Sequence, residues 1–215
     1  MKKEISSRII KFMVSAMLLI GIIGCGTFLF IPSENVILNN TYISGSDNCV
    51  PNQEFDYAPY ISNDGLSDVI VFLEVHIPLV TTRKVANDGT FISDGLQELF
   101  IMKQKDDSIT SHNIDKDWVM LSEGITPERN DEESTRILAY QKILKRKEQT
   151  PPAFEKIQSI NFTDNDLQSA EHRLWINECY IKVQDAKKVV GAKNLGNNMS
   201  KETLLELYNY IKEKN

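Results

Sequence analysis

The stretch VIVFLEVHIP, from Val69 to Pro78, carries the clearest fold signal in the chain. Every odd-numbered position in it is aliphatic: Val69, Val71, Leu73, Val75 and Ile77. This period of two predicts a β-strand with one consistently apolar face. The opposite face starts with Ile70 and Phe72 and becomes polar only at Glu74. We therefore expect a central strand that is covered on both sides over half of its length, as in a sandwich.

Turn signals flank this strand on both sides. Asn63-Asp64-Gly65 precedes it, and Asn87-Asp88-Gly89 follows the segment Leu79 to Val85. These residue types tolerate the positive φ of tight turns, so antiparallel connections are expected. Alternation predicts further strands at residues 55–61, 96–103, 116–121, 137–144 and 173–184. Pro59 suits an edge or a bulge rather than the centre of a ladder.

An amphipathic helix is predicted at the end of the chain. Asn198 or Ser200 can cap it, and Glu202 favours the positive end of its dipole. The apolar residues at helical spacing are Leu204, Leu207, Tyr208 and Ile211. Such a stripe indicates either packing onto the β-domain or docking to a partner or a membrane surface. By contrast, the charged segment from Ser122 to Ser134 is typical of an exposed loop.

An uncharged segment near the start predicts export. Residues 12–31 contain no charged side chain, and four basic residues precede them: Lys2, Lys3, Arg8 and Lys11. A charge at the bilayer centre costs about 2.5–3.5 kcal/mol, so this pattern suits membrane insertion. The segment is either a removed signal peptide or a retained anchor spanning the membrane through residues 12–31.

A third outcome centres on Cys25. Ile22-Ile23-Gly24-Cys25 fits the pattern of bacterial lipoprotein signals, in which the cysteine is acylated and becomes the new N-terminus. Alternatively, Cys25 is a small apolar residue of the membrane-seeking segment. Cys49 and Cys179 are the other two cysteines, and they either form a disulfide in an oxidising compartment or stay unpaired.

The body of the chain is acidic. Without residues 1–30, 20 Lys and Arg stand against 29 Asp and Glu, a net charge of −9. Such a surface repels nucleic acid, so no nucleic-acid partner is expected. With 41% hydrophobic residues, the composition is ample for a packed core.

No catalytic or metal-binding motif is present. Zinc catalysis needs three protein ligands. The chain has three histidines, His76, His112 and His172, and they are far apart in the sequence and form no His-Glu-x-x-His pair. A composite site with Glu74 and Glu171 is geometrically possible, although solvated surface side chains are the simpler interpretation. We predict no cofactor, no metal and no catalytic residue.

An ordered series of short motifs resembles the exported proteins with SipW-type signal peptides, a family that includes TasA and camelysin. The motifs are Gly24-Cys25-Gly26-Thr27-Phe28, Asn40 to Gly45, Pro51-Asn52-Gln53, Asn63-Asp64-Gly65, Val71 to Val75 with Pro78, Glu98-Leu99-Phe100, Trp118, Tyr140 and Thr150 to Phe154. The resemblance covers most of residues 9 to 184. The chain departs from the family where Cys25 replaces a glycine and where Leu29 to Pro32 replace small residues near the cleavage point.

The resemblance implies a jelly-roll-like β-sandwich outside a Gram-positive cell, released by a signal peptidase and able to self-associate into fibres or with other matrix proteins. It implies that an N-terminal strand completes a neighbour's sheet, and the candidate residues are Val36, Ile37, Leu38, Tyr42 and Ile43. The other interpretation of this segment is the first strand of its own sheet. Two further functions stay open: a membrane-tethered or lipid-anchored binding module, and a camelysin-like surface metallopeptidase.

The expected architecture is therefore mainly β: an antiparallel jelly-roll-like β-sandwich with a C-terminal α-helix, preceded by an N-terminal hydrophobic export helix. Residues 1–30 form the signal peptide or anchor. Residues 31–190 form the β-sandwich domain, and residues 191–215 form a linker and amphipathic helix. The expected location is extracellular or at the cell surface.

Overall fold

The computed structural model describes residues 35–39, 42–44, 50–86, 88–106, 111–121, 133–162 and 173–214. All of them belong to one unit, Asn35–Asn215. The predicted export segment and Cys25 lie outside the described residues. Within these ranges, no helix has both the length and the apolar character that a membrane span requires.

The described residues are mainly β, with two α-helices near the end of the chain. The strands are β1 (Val36–Asn39), β2 (Tyr42–Ser44), β3 (Glu54–Asp56), β4 (Tyr60–Asn63), β5 (Val69–Val85), β6 (Phe91–Glu98), β7 (Phe100–Lys103), β8 (Trp118–Met120), β9 (Glu133–Tyr140), β10 (Lys156–Ser159) and β11 (Arg173–Lys182). The helices are α1 (Val183–Val190) and α2 (Lys201–Lys214), with a 3-10 turn at Ala192–Asn194 between them.

Strand β5 organises the fold. Its first half pairs with β11 on one side and β9 on the other, and its second half pairs with β6. The change of partner occurs at Pro78, which is the last residue opposite β9 and is followed by Leu79 opposite Glu98. A proline cannot donate to a ladder, so it suits this transition. The predicted strand is confirmed, and it continues through Val85 as one element.

Every strand pair in the described ranges is antiparallel, as the turn signals predict. The largest sheet runs in the order β2-β11-β5-β9-β8, with β6 also paired to β5. Two smaller sheets contain β1-β4 and β3-β10-β7. At Gly89, between β5 and β6, φ is +84°, a value that glycine adopts without steric cost.

The two faces of β5 bury different side chains. Val69, Val71, Leu73, Val75 and Ile77 join a cluster that also takes residues from the smaller sheets, such as Ile61, Met102 and Ile157. Ile70 and Phe72 join a second cluster on the opposite face, beneath α1 and α2. Both are fully buried, which confirms that β5 is covered on both sides over its first half.

Helix α2 has the predicted position and the predicted apolar stripe. Its buried residues are Leu204, Leu207, Tyr208 and Ile211. The backbone N–H of Thr203 donates to Ser200 Oγ at 3.2 Å, so Ser200 caps the helix. The stripe packs onto the sheet next to Phe72.

Helix α1 replaces the end of a predicted strand. We expect a strand over residues 173–184, whereas β11 ends at Lys182 and Val183 starts a helix. Ala186 and Val190, four residues apart, are its buried residues. A helix of two turns has too few apolar positions for its period to stand out beside a long strand signal.

Other element boundaries also differ. The alternation at residues 55–61 belongs to two strands in different sheets, β3 and β4, with Pro59 between them. The predicted strand at 96–103 divides at Leu99, whose N–H bonds to Pro78 O at 2.9 Å. Residues 122–132 of the predicted loop lie outside the described ranges, while Glu133 and Ser134 belong to β9.

Candidate functional site

The predicted donor-strand residues lie in two short strands that pair within their own chain. Val36, Ile37 and Leu38 belong to β1, which pairs with β4 over four residues. Tyr42 and Ile43 belong to β2, which pairs with β11 over three residues. The segment thus contributes to two different sheets. Pairing with a neighbouring molecule stays a prediction.

One side of strand β11 has a strand partner over only part of its length in the described part of the chain. On one side it pairs with β5 from Trp175 to Lys182, and on the other side β2 covers only Arg173 to Trp175. No other strand among the described residues pairs with that second side. A strand edge without a neighbouring strand is a place where another strand can add through backbone hydrogen bonds.

An open groove of about 470 Å³ runs along this edge, beside α2. Its lining comes from the end of β11, the start of α1 and the last turns of α2: Glu178, Cys179, Tyr180, Ile181, Lys182, Asp185, Tyr210, Ile211 and Lys214. The Lys214 ammonium lies 4.5 Å from the centre of the Tyr210 ring, which is cation-π distance. We call this surface the β11 groove.

Cys179 lies in the β11 groove, half-buried and with no disulfide partner among the described residues. Burial raises the pKa of Cys179 to about 12, and the negative charge of Glu74 adds to the effect. Because the thiolate is the reactive form, this cysteine is a weak nucleophile at neutral pH. Cys49 lies outside the described residues, so a disulfide between Cys49 and Cys179 stays a prediction.

Cys179 should therefore resist alkylation in the folded protein. At about pH 8, only about one thiol in ten thousand is ionised when its pKa is about 12, against roughly a quarter for a free cysteine. Iodoacetamide labelling followed by peptide mass mapping should show slow modification of Cys179 in native protein and complete modification in urea. Rapid native labelling would contradict the packing of β11 against α2.

Glu74 is engaged with α2. Its Oε1 accepts hydrogen bonds from the Tyr208 hydroxyl at 2.8 Å and from Lys212 Nζ at 2.9 Å. Glu74 is only 8% exposed, so these donors compensate for the burial of its carboxylate. The contact joins the centre of the large sheet to the last helix.

His76 takes part in a separate cluster on the same face of β5. Its ring stacks on Trp175 with the ring centres 3.5 Å apart, and its Nδ1 lies 3.1 Å from Glu133 Oε1 and 3.2 Å from Thr135 Oγ1. Trp175 Nε1 donates to the other Glu133 oxygen at 3.1 Å. Trp175 and Thr135 are the residues opposite His76 on the two neighbouring strands, so the ladder register brings the group together.

A third cluster holds His112, Glu98 and Arg136. The Met102 N–H donates to His112 Nδ1 at 3.1 Å, so Nε2 carries the ring proton and donates to Glu98 Oε2 at 2.7 Å. Arg136 donates to both Glu98 oxygens, through Nε at 2.7 Å and through its terminal nitrogen at 2.6 Å. Burial alone would raise the pKa of Glu98, but the bonds from His112 and Arg136 outweigh it and hold this pKa at about 2.

The structure does not bring Glu74, His76 and His112 together into one ligand set. Each is engaged with a different cluster, and Glu171 and His172 lie outside the described residues. The described residues contain no group of three or more His, Cys, Asp or Glu placed to hold a metal ion. The sequence does not indicate the partners of these three side chains, because the partners lie far away in the chain and their spacing forms no local pattern. The pairs are Glu98 with Arg136, Glu74 with Tyr208 and His76 with Trp175.

Comparison with known proteins gives no relative. No protein-family model, no curated protein and no solved structure matches the chain.

Proposed function

We propose that this chain is an exported, non-enzymatic component of the cell surface or extracellular matrix of a Gram-positive bacterium, similar in role to TasA-like members of the SipW-type signal peptide family. The observation that carries the proposal is the position of β1 and β2. They are the first strands among the described residues, and they pair over only four and three residues. Few backbone hydrogen bonds must break before such a segment can pair with another molecule.

We further propose that the β-domain is a sandwich of the jelly-roll type. The support is that one apolar cluster combines the odd-numbered side chains of β5 with residues of both smaller sheets. Strands β1 and β2 also belong to different sheets: β1 pairs with β4, whereas β2 belongs to the largest sheet.

The charge of the chain argues against a nucleic-acid partner. The chain beyond residue 30 has a net charge of −9, and the described basic side chains that are most buried already contact carboxylates. Lys103, for example, is 4% exposed and donates to Glu54 at 3.1 Å. An anionic surface keeps a secreted protein soluble until a specific contact forms.

A membrane-tethered binding module is the second candidate. It is favoured by Cys25 and by the bulky run Leu29 to Pro32, which differs from the small residues around the family's cleavage point. The two candidates differ in the covalent N-terminus of the native protein. Removal of the leader frees the segment at Val36, whereas an anchor holds the same segment at the membrane.

We expect the native protein in the culture medium to start near residues 30–35. The measurement is intact mass and N-terminal sequencing of protein recovered separately from the membrane and the medium, with light scattering of the released form to detect self-association. An acylated Cys25 or an intact leader, found only in the membrane fraction, would contradict release and support the tethered module.

A further inference from the structure

The charged residues at the end of β11 are arranged self-complementarily, so that an antiparallel copy of the strand can place opposite charges next to each other. Glu178 and Lys182 flank Tyr180 at equal distances along the strand, on the same face. Cys179 and Ile181, which alternate with these three residues, point to the opposite face and join the cluster beneath α1 and α2. The outer side of this strand has no partner among the described strands.

We propose that two copies of this chain associate through a twofold axis at Tyr180, with their β11 edges paired antiparallel. In this register Tyr180 lies opposite Tyr180 of the second copy. Glu178 of each copy lies opposite Lys182 of the other, so two opposite-charge pairs form. Opposite charges at directly facing positions stabilise an antiparallel pair, and like charges destabilise it. The large sheets of the two copies then form one continuous sheet.

The neighbouring elements select this register. Pairing by β2 reaches only to Trp175, so the part of the edge without a described strand partner runs from Ile176 to the end of β11. At the other end, α1 starts at Val183 and turns the chain out of the sheet. A twofold at Cys179 would place Lys182 opposite Ile176, which is buried in the core, and would leave Glu178 opposite Tyr180.

The β11 groove provides room for the second strand. Its volume of about 470 Å³ lies beside Glu178–Lys182, and Tyr210 and Lys214 of α2 form its other wall. In the proposed dimer the half-buried Cys179 faces Ile181 of the second copy, so the side chains on the helix side are apolar. Contacts of this kind are isologous, because the same surface is used by both copies.

This contact goes beyond the proposed function. A twofold contact closes on itself and gives a dimer, whereas a fibre needs a contact that repeats in one direction. The inference therefore holds for a released or a tethered protein. Fibres without the β11 dimer, or the dimer without fibres, would separate the two proposals.

Charge exchange tests the pairing directly. The full chain in a mild detergent is compared by analytical ultracentrifugation with E178K, K182E and the double variant E178K/K182E. We expect each single variant to weaken dimerisation by about tenfold or more, since both opposite-charge pairs become like-charge pairs. The double variant should restore dimerisation to near the wild-type level, because the exchanged side chains again place opposite charges at both facing positions.

Cross-linking provides a second measurement that does not depend on the electrostatic effect. Directly opposite Cβ atoms in an antiparallel pair lie about 4.5–5.5 Å apart, which is close enough for a disulfide after a small adjustment. Tyr180→Cys, in a chain whose native cysteines are replaced by serine, should form a covalent dimer under mild oxidation. Adding E178K should reduce its yield, and thermal unfolding curves confirm that each variant is folded.

A wild-type chain that stays monomeric at about 1 mM would overturn the inference. Failure of the double variant to recover dimerisation that the single variants lose, or absence of a cross-link in the Tyr180→Cys variant, would do the same.

Discussion

Replacing Glu98 with glutamine should lower the free energy of unfolding by about 3 kcal/mol at pH 7. Arg136 is 8% exposed in its side chain and Glu98 is 9% exposed, so the pair is almost removed from water. The neutral amide leaves the buried Arg136 guanidinium without its counter-charge. Removing one partner of a buried ion pair is strongly destabilising, because the remaining charge stays out of water without a compensating partner. Replacing both partners by apolar residues costs less, since no buried charge is left.

The same substitution should remove part of the acid sensitivity. The pKa of Glu98 is lowered from 4.5 to about 2 in the folded protein. A carboxyl group with a lowered folded-state pKa stabilises the fold above its unfolded pKa and loses that contribution as the pH falls through the folded value. The difference in unfolding free energy between wild type and Glu98→Gln should therefore have its full value above about pH 4.5. It should shrink as the pH falls from about 4.5 to about 2.

Urea unfolding followed by circular dichroism at several pH values measures this difference. Glu206→Gln is the matched control, because Glu206 is an exposed glutamate on α2. Its effect should stay within about 0.5 kcal/mol at every pH. Equal effects at Glu98 and Glu206 would contradict the buried cluster.

Replacing Leu207 with alanine should destabilise the protein by about 3 kcal/mol, within the usual range of about 2–5 kcal/mol for buried leucine. Leu207 is 0% exposed and packs against the helix-side face of the large sheet. The substitution removes its apolar contacts and leaves a cavity beneath α2, next to Tyr208 and Phe72, whose ring centres are 5.7 Å apart.

Leu205 offers a matched control on the same helix. It is 40% exposed, so Leu205→Ala should change the unfolding free energy by less than about 0.5 kcal/mol. The measurement is the shift of the urea midpoint at constant m-value. If the two substitutions have the same effect, α2 is not packed on the sheet, and its apolar stripe is available to a partner or a membrane surface.

The sequence predicts β5, its two-sided burial and α2, because each shows a clear period over many residues. It does not predict α1, since two helical turns beside a long strand carry little periodicity. The position of Pro78 shows a different limit. Proline indicates a break in a ladder, but only the pairing partners show that β5 continues while its neighbour changes from β9 to β6.

The three clusters around Glu74, His76 and Glu98 depend on contacts between residues far apart in the chain. Glu74 and Tyr208 are separated by 134 positions, and Glu98 and Arg136 by 38. No local pattern encodes such a pair, because it forms only after strand register and helix docking are established. This is why a sequence with Glu74 and His76 on one strand face allows a composite metal site, while the structure gives each side chain a different set of partners.

The sequence by itself determined the general character of the chain: β-rich and acidic, with an uncharged N-terminal segment and an apolar stripe at helical spacing near the end. Those properties follow from composition and from side-chain periods of two and 3.6 residues, which are local. Tertiary structure alone decided that β11 has no described strand partner beyond Trp175 on its outer side, how β1 and β2 divide between sheets and which buried charges meet. These depend on strand order and register, which are set by the packing of distant segments rather than by any one of them.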